Sequence, residues 1–226
     1  MMRKRLLAIG LLAVILLSGC HKGVTLTDSD KVNQNYIFQL YQVKYDAESG
    51  EMTAKAVFRL DHRSGEQLRL TSPSQVTANG KVLDLNDQGE YVYSAEKHQQ
   101  TTSYVYTNND QQQFKNSVIT NTIAFSQENI TLHKDKVTRV AIKAEPFEEN
   151  ESVSCTLTKD GETVEIDLDF ENGRLIVSPE MLETVQPGSY SARLVRNNYS
   201  QQLKSLDRGG EWESQYVSTS KTITVQ

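Results

Sequence analysis

Cysteine and histidine are the residues of this 226-residue chain that could hold a metal ion or act as nucleophiles, and both are scarce. The two cysteines are Cys20 and Cys155, and the four histidines stand at positions 21, 62, 98 and 133. No histidine lies two or four positions from another histidine or a cysteine, so no pair shares a strand or helix face. Cys155 lies among apolar residues of a predicted strand, where a lone cysteine is usually a small core residue. We therefore expect no metal site, no cofactor and no catalytic residue.

Aromatic residues are the candidate binding residues. Trp212 stands in a charged stretch, Arg208 to Ser214, predicted as a loop or strand edge, where it could anchor a partner or close the end of a sandwich. Tyr91 and Tyr93 share one face of a predicted strand, and Tyr104 and Tyr106 share a face of the next. If these strands form a hairpin, the four rings make a flat platform for sugar rings or a partner's peptide. The amphipathic pattern favours the other arrangement, in which Tyr91 and Tyr93 face a core.

The first residues of the chain have the pattern of an export signal. Arg3, Lys4 and Arg5 precede an apolar run from Leu6 to Leu17. A transmembrane helix needs about 20 apolar residues, so this run is too short to span a bilayer. A basic start, a short apolar run and small residues are typical of a cleaved signal peptide.

The end of that run, Leu17-Ser18-Gly19-Cys20, resembles the lipobox of bacterial lipoproteins. The resemblance implies that residues 1–19 are a lipoprotein signal peptide and that Cys20 receives lipid and becomes the first residue of the mature chain. Two or three acyl chains would anchor the protein stably to a membrane without a spanning segment.

Charge and the residue after Cys20 indicate where the anchored protein lies. The net charge of −5 becomes −8 once the three basic signal residues are removed. An acidic chain is not drawn to nucleic acid or to anionic headgroups, so lipid must hold it at the membrane. In many Gram-negative lipoproteins an Asp after the lipidated Cys retains the protein at the inner membrane. Here that residue is His21, so the resemblance implies the outer membrane of the bacterial envelope.

The rest of the sequence predicts an all-β fold. Residues 20–34 are polar and without periodicity, which predicts a flexible tether. From Tyr36 onward apolar residues alternate with period two, as in Met52 to Phe58, and no long stretch has a helical period. Turn dipeptides predict hairpins at Asn79-Gly80, Asp160-Gly161 and Asn172-Gly173, and another hairpin is predicted between 91–97 and 101–107.

A domain boundary is predicted at the acidic, proline-containing segment 144–151. It divides the mature chain into an N-terminal domain, 35–143, and a C-terminal domain, 144–226. Within the second domain, Pro187-Gly188-Ser189-Tyr190 resembles the corner between strands E and F of immunoglobulin-like sandwiches, where a tyrosine two residues after a glycine bonds back to the upstream backbone. The resemblance implies two tandem immunoglobulin-like β-sandwich domains.

Taken alone, the sequence predicts a lipid-anchored, non-enzymatic module that binds or assembles another component of the bacterial envelope. It contains no nucleophile–base pair, metal cage or phosphate loop. One alternative is a carbohydrate-binding surface module that uses exposed aromatic residues. The other is an enzyme whose acid and base are distant carboxylates that meet in a deep cleft. The partner is a protein or a glycan, and the sequence does not choose between them.

Overall fold

The computed structural model describes residues 24–226, and these residues form β-strands with three short 3₁₀ helices. The all-β fold class predicted from the sequence is confirmed. The signal peptide 1–19 and Cys20 lie outside the described residues. The strands are β1 Thr27–Asp28, β2 Ile37–Asp46, β3 Glu51–Leu60, β4 Leu68–Arg69, β5 Gln75–Ala78, β6 Lys81–Val82, β7 Asp84–Leu85, β8 Tyr91–Ala95, β9 Thr101–Thr107, β10 Gln113–Ile119, β11 Ile123–Phe125, β12 Thr131–Leu132, β13 Thr138–Ala144, β14 Glu151–Lys159, β15 Glu162–Glu171, β16 Arg174–Val177, β17 Gly188–Ser200, β18 Gly210–Val217 and β19 Lys221–Val225. The 3₁₀ helices are Ser29–Lys31, Gln34–Tyr36 and Glu180–Leu182.

The three turns predicted from Asn-Gly and Asp-Gly dipeptides are present. Asn79 and Gly80, with φ of 49° and 76°, join β5 to β6, as a two-residue turn with two positive φ angles requires. Residues 160–161 join β14 to β15 in the same way, and residues 172–173 join β15 to β16. The turns at 160–161 and 172–173 set the register of β14, β15 and β16 in the second sandwich.

The second sandwich has the immunoglobulin-like architecture that its tyrosine predicted. One sheet contains β11, β13 and β16, and the other contains β14, β17 and β19, with β12 parallel to β19. Residues 162–168 of β15 pair with β14 and residues 169–171 pair with β16, so β15 passes from one sheet to the other. The Tyr190 hydroxyl donates to the carbonyl of Gln186 at 2.7 Å, which is the predicted corner. The apolar residues leading into the corner are all at most 2% exposed: Leu175, Val177, Leu182 and Val185.

The two cores meet at a different place from the predicted boundary at 143/144. Ile123, Leu132 and Val140, which the sequence placed in the first domain, are buried in the second core. The last strand of the first sandwich that precedes them is β10, which ends at Ile119. Residues 145–150 of the acidic segment are therefore the turn between β13 and β14, at the end of one sandwich, and their composition reflects solvent exposure there.

The first sandwich packs the sheet β2–β3–β8–β7 against the sheet β10–β9–β5–β6. The predicted apolar face of β3 is fully buried, because Met52, Ala54, Ala56 and Phe58 are each 0% exposed. The predicted hairpin between 91–97 and 101–107 is wrong. β8 and β9 lie in opposite sheets, since the residues between them cross from one sheet to the other.

The N-terminal segment is ordered further upstream than a tether from 20 to 34 would allow. β1 pairs in parallel with β4, and Asp28 forms ion pairs with Lys31 and Arg69. Ser29 is fully buried and its hydroxyl donates to Asn109 Oδ1 at 2.7 Å. Polar side chains that find partners on the sandwich dock this segment despite its lack of an apolar face.

A single sheet runs from the second sandwich into the first. The first part of β17 pairs with β19, and its second part, Val195–Ser200, pairs with β18. β18 then pairs in parallel with β2 along its whole length. Arg193 on β17 adds an ion pair to Asp46 at the end of β2, with Nη2 and Oδ1 2.5 Å apart. The first sandwich is thus completed by a strand from the C-terminal part of the chain.

This continuous sheet predicts that the two sandwiches unfold together. Trp212 is the only tryptophan and packs against the first core, whereas far-UV circular dichroism reports strands of both sandwiches. We expect one urea transition, with the same midpoint by tryptophan fluorescence and by circular dichroism. Two separated midpoints would contradict a single cooperative unit.

Candidate binding surface

A groove of about 520 Å³ lies on the outer face of the continuous sheet, where β17, β18, β2 and β3 run side by side. Alternate residues of each strand point away from the cores, which places eight side chains on this face. The register aligns them in two rows that run across the strands. Row one contains Asn197, Gln215, Lys44 and Thr53, and row two contains Tyr199, Glu213, Gln42 and Lys55. Each row spans about 14 Å, given the usual strand spacing.

Hydrogen bonds and ion pairs hold most of these side chains in place. Gln215 Nε2 donates to Asn197 Oδ1 at 3.0 Å within row one. Within row two, Gln42 Nε2 donates to Glu213 Oε2 at 2.9 Å. The amides are therefore oriented before any ligand arrives, which reduces the ordering cost of binding.

The charges of the groove are paired except for one lysine. Arg63 lies 2.5 Å from Glu213, and Lys55 lies 2.9 Å from Glu90. Lys44 is exposed and makes no ion pair within residues 24–226. Arg63 also pairs with Glu211, so the three positive side chains of the groove and its rim are balanced by three negative ones.

Tyr199 forms one end of the groove. Its hydroxyl donates to Oε2 of Glu211 at 2.8 Å, and Glu211 is 4% exposed and also paired with Arg63. Partial burial and the hydrogen bond to the Glu211 carboxylate raise the pKa of Tyr199. The half-buried ring is fixed at its polar tip and still contributes an aromatic surface to the groove.

A buried ion pair supports the groove from behind. Arg196, on the inner face of β17, and Glu151, at the start of β14, have side chains that are 1% and 0% exposed. Arg196 Nε and Nη2 lie 3.0 and 2.5 Å from the two carboxylate oxygens. Its other N–H groups donate, at 2.8–3.0 Å, to the carbonyls of Thr122, Glu145 and Pro146. All five guanidinium donors are thus satisfied.

The link between the sandwiches, residues 120–122, and the end of β10 are held by side chains of the elements around them. Besides Arg196, Ser214 Oγ donates to the carbonyl of Ile119 at 2.5 Å, and His98 Nε2 donates to that of Thr120 at 2.9 Å. The sequence of the link contains no feature that would make it rigid by itself. These bonds fix the angle between the sandwiches and therefore the shape of the groove.

The predicted aromatic platform is inside the first core. Tyr91 is 7% exposed, and Tyr104 and Tyr106 are both 0% exposed. Tyr104 stacks on Tyr41 with ring centroids 4.4 Å apart, and burial raises its pKa strongly. Tyr93 is half-buried against the same core. The four rings face the interior because β8 and β9 belong to opposing sheets, so they do not form the predicted flat platform on the surface.

Trp212 is also an inward-facing residue. It lies on β18 opposite Tyr41 of β2, and its half-buried ring packs against the first core. The sequence placed it between the last strands of the second domain, because no local signal shows that β18 pairs with β2. Its neighbours Glu211 and Glu213 point outward to the groove, as strand alternation requires.

Sequence reasoning missed all eight groove residues. They come from residues 42–55 and 197–215, which are remote in the chain and meet only through the pairing of β18 with β2. Taken strand by strand, their polar alternation is indistinguishable from an ordinary solvated sheet face.

Residues 24–226 contain neither a metal-binding group of side chains nor a membrane-spanning helix. Within that range no three His, Cys, Asp or Glu side chains are grouped closely enough to hold a metal ion. No helix in the same range is long and apolar enough to cross a membrane.

Comparison with known proteins identifies no family. No protein-family model matches the chain, and no curated protein matches its sequence. Among solved structures, it is similar to a crystal structure of a tandem from titin, with 8% identity and a TM-score of 0.24. The match covers 83% of this chain and 66% of the titin chain, slightly less than two thirds. The sandwich architecture rests on the strand order and the tyrosine corner described above.

The buried ion pair predicts a large loss of stability when one partner is removed. Glu151→Gln leaves the Arg196 charge with only the more distant Glu145 carboxylate, 3.9 Å from Nη1, and we expect it to lower the free energy of unfolding by about 3 kcal/mol. Glu171→Gln is the matched control, because Glu171 is exposed and its ion pair with Arg139 is 3.9 Å long. Urea titration measures both variants, and equal effects would contradict a special role for Glu151.

Burial also predicts that the Cys155 thiol is inert in the folded protein. The side chain is 3% exposed, and burial raises the pKa of Cys155 to about 12. In a form starting at residue 21, we expect no reaction with a disulfide reagent at pH 8 until urea unfolds the chain. Introducing a thiol at exposed Ser94, by Ser94→Cys, should give immediate reaction of one equivalent. A fast reaction of Cys155 itself would show that the second core opens.

Proposed function

We propose that the protein is a lipid-anchored, non-enzymatic binding module of the bacterial envelope and that the groove across the continuous sheet is its binding surface. The observation that carries the proposal is the alignment of the two polar rows across strands from both parts of the chain. A surface assembled from four strands and supported by a buried ion pair is rigid, and rigid polar surfaces suit recognition.

The groove chemistry supports binding over catalysis. Glu213 is the one carboxylate in the two rows, and Arg63 and Gln42 both engage it. General acid–base catalysis by carboxylates would require a second acidic group across a cleft. The groove is open to solvent and the rows contain no nucleophile beside a base. The aromatic platform is not part of the proposal, because its rings are buried.

The anchor would hold the first sandwich close to the membrane. The segment between Cys20 and the first docked residue, Thr27, spans at most about 25 Å when fully extended. β1 attaches this segment to the first sandwich, so that sandwich would lie nearest the bilayer. His21 after the acylated cysteine favours the outer membrane over the inner membrane.

Acylation of Cys20 is the direct test of the anchor. Cells grown with a clickable fatty acid should label the wild-type protein and should not label Cys20→Ala, because the acceptor thiol is gone. Cys155→Ala is the matched control and should keep its label. The labelled protein should sediment with outer-membrane vesicles on a sucrose gradient.

Two outcomes would overturn the anchor. One is a wild-type protein without label, and the other is a label that persists in Cys20→Ala. Sedimentation of the labelled protein with inner-membrane vesicles would overturn only the choice of membrane.

A further inference from the structure

We propose that Asn172 is a site of spontaneous deamidation in the folded protein and that Asn79, in a turn of the same kind, is protected from this reaction. These two are the asparagines of the chain that precede a glycine. The site is independent of the proposed binding function of the groove. Three features of the turns carry the assignment: the open backbone amide of Gly173, the exposed side chain of Asn172, and the hydrogen bonds that hold Asn79.

Deamidation at an Asn-Gly pair is an attack of the backbone on the preceding side chain. The amide nitrogen of Gly173 loses its proton to hydroxide and forms a bond to Cγ of Asn172, while the bond from Cγ to Nδ2 breaks. Nδ2 takes a proton from water and leaves as ammonia, which leaves a five-membered succinimide ring. Water then opens the ring at Cγ, which yields aspartate, or at the backbone carbonyl carbon, which yields isoaspartate. The reaction requires only water and hydroxide as partners.

The two turns present the attacking nitrogen in the same way. Asn172 and Gly173 have φ of 51° and 77°, close to the 49° and 76° of Asn79 and Gly80. Neither glycine N–H donates a hydrogen bond within residues 24–226, because the central residues of a two-residue turn lie outside the ladder. A Cβ placed on either glycine would meet no atom within 4 Å, so water reaches both amides. The difference between the two sites therefore lies in the asparagine side chains.

Hydrogen bonds restrain the side chain of Asn79 but not that of Asn172. Asn79 is half-buried, and its Oδ1 accepts from the backbone N–H of Ser103 at 2.8 Å. Its Nδ2 donates to Oε1 of Gln99. Moving Cγ of Asn79 toward the nitrogen of Gly80 would stretch both bonds. Asn172 is exposed and its side chain makes no hydrogen bond within residues 24–226, so it rotates into the attacking geometry without losing one.

Isoaspartate at position 172 would alter the hairpin of β15 and β16. The chain of an isoaspartate continues through its Cβ, so the two-residue turn gains one backbone atom and no longer fits the pair Glu171 and Arg174 that closes it. The turn also gains a negative charge beside Glu171. Because β15 passes from one sheet to the other just before this turn, we expect isoaspartate to destabilise the second sandwich.

The test follows both Asn-Gly peptides while the protein, purified in detergent, is aged at pH 8. Peptide mapping by mass spectrometry detects the exchange of ammonia for water, and chromatography separates aspartate from isoaspartate. We expect Asn172 to convert about tenfold faster than Asn79, because the hydrogen bonds of Asn79 must break before its side chain reacts. In concentrated urea, where both turns are lost, the two rates should become equal.

Two variants separate the chemistry from its consequence. Asn172→Gln should not convert, because attack on glutamine closes a less favourable six-membered ring, and it should leave the rate at Asn79 unchanged. Asn172→Asp carries the new charge without the additional backbone atom, and when fresh it should melt like fresh wild type by circular dichroism. Aged wild type enriched in isoaspartate should melt earlier than both.

Four results would overturn the assignment of Asn172. They are equal rates at the two asparagines of the folded protein, a faster rate at Asn79, a preference for Asn172 that persists in urea, and an Asn172 that converts only after unfolding. The third would show that the neighbouring sequence sets the rates, and the fourth that the turn itself protects the side chain. Melting of the isoaspartate form together with fresh wild type would overturn the expected loss of stability.

Discussion

The buried pair of Arg196 and Glu151 is the interaction on which the rest of the structure depends. One guanidinium holds the link between the sandwiches through Thr122, the turn between β13 and β14 through Glu145 and Pro146, and the start of β14 through Glu151. These segments meet at the point where β17 leaves the second sandwich and begins to pair with β18. If the guanidinium were absent, three carbonyls from these segments would lose their donor, and the link would keep only its bonds to neighbours such as Ser214 and His98.

A pair of apolar residues could not replace Arg196 and Glu151, although buried ion pairs are often no more stabilising than well-packed hydrophobic residues. The three backbone carbonyls that Arg196 satisfies are partly buried, and each would cost free energy if it lost its donor. Asn121 adds a donor to Glu151 Oε1 at 3.0 Å, so the carboxylate is satisfied as well. The charged pair is therefore retained because irregular backbone from three segments converges there. The link between the two sandwiches cannot form the regular hydrogen bonds of a sheet, so a side chain such as Arg196 must satisfy its backbone.

Local signals in the sequence predicted local structure well. The Asn-Gly and Asp-Gly turns, the buried face of β3 and the corner at Tyr190 each depend on a few neighbouring residues, and each is present. The boundary at 143/144, the tyrosine hairpin and the groove depend on which strands pair across the chain. Period-two alternation shows that a residue faces inward or outward, but it does not say which strand lies beside it. The parallel pairing of β18 with β2 leaves no local turn signal, because parallel strands are not joined by a hairpin.

The pairing of β18 with β2 makes the proposed binding surface depend on residues from both halves of the chain. β2 begins ten residues after Thr27, and its partner β18 lies 171 positions further along at the pair Gln42–Glu213. The β2–β3–β8–β7 sheet of the first sandwich therefore gains its fifth strand, β18, only after nearly the whole chain is available. Long-range contacts of this kind are slow to form. The groove requires that pairing, so the proposed binding surface is present only on molecules in which both sandwiches are complete.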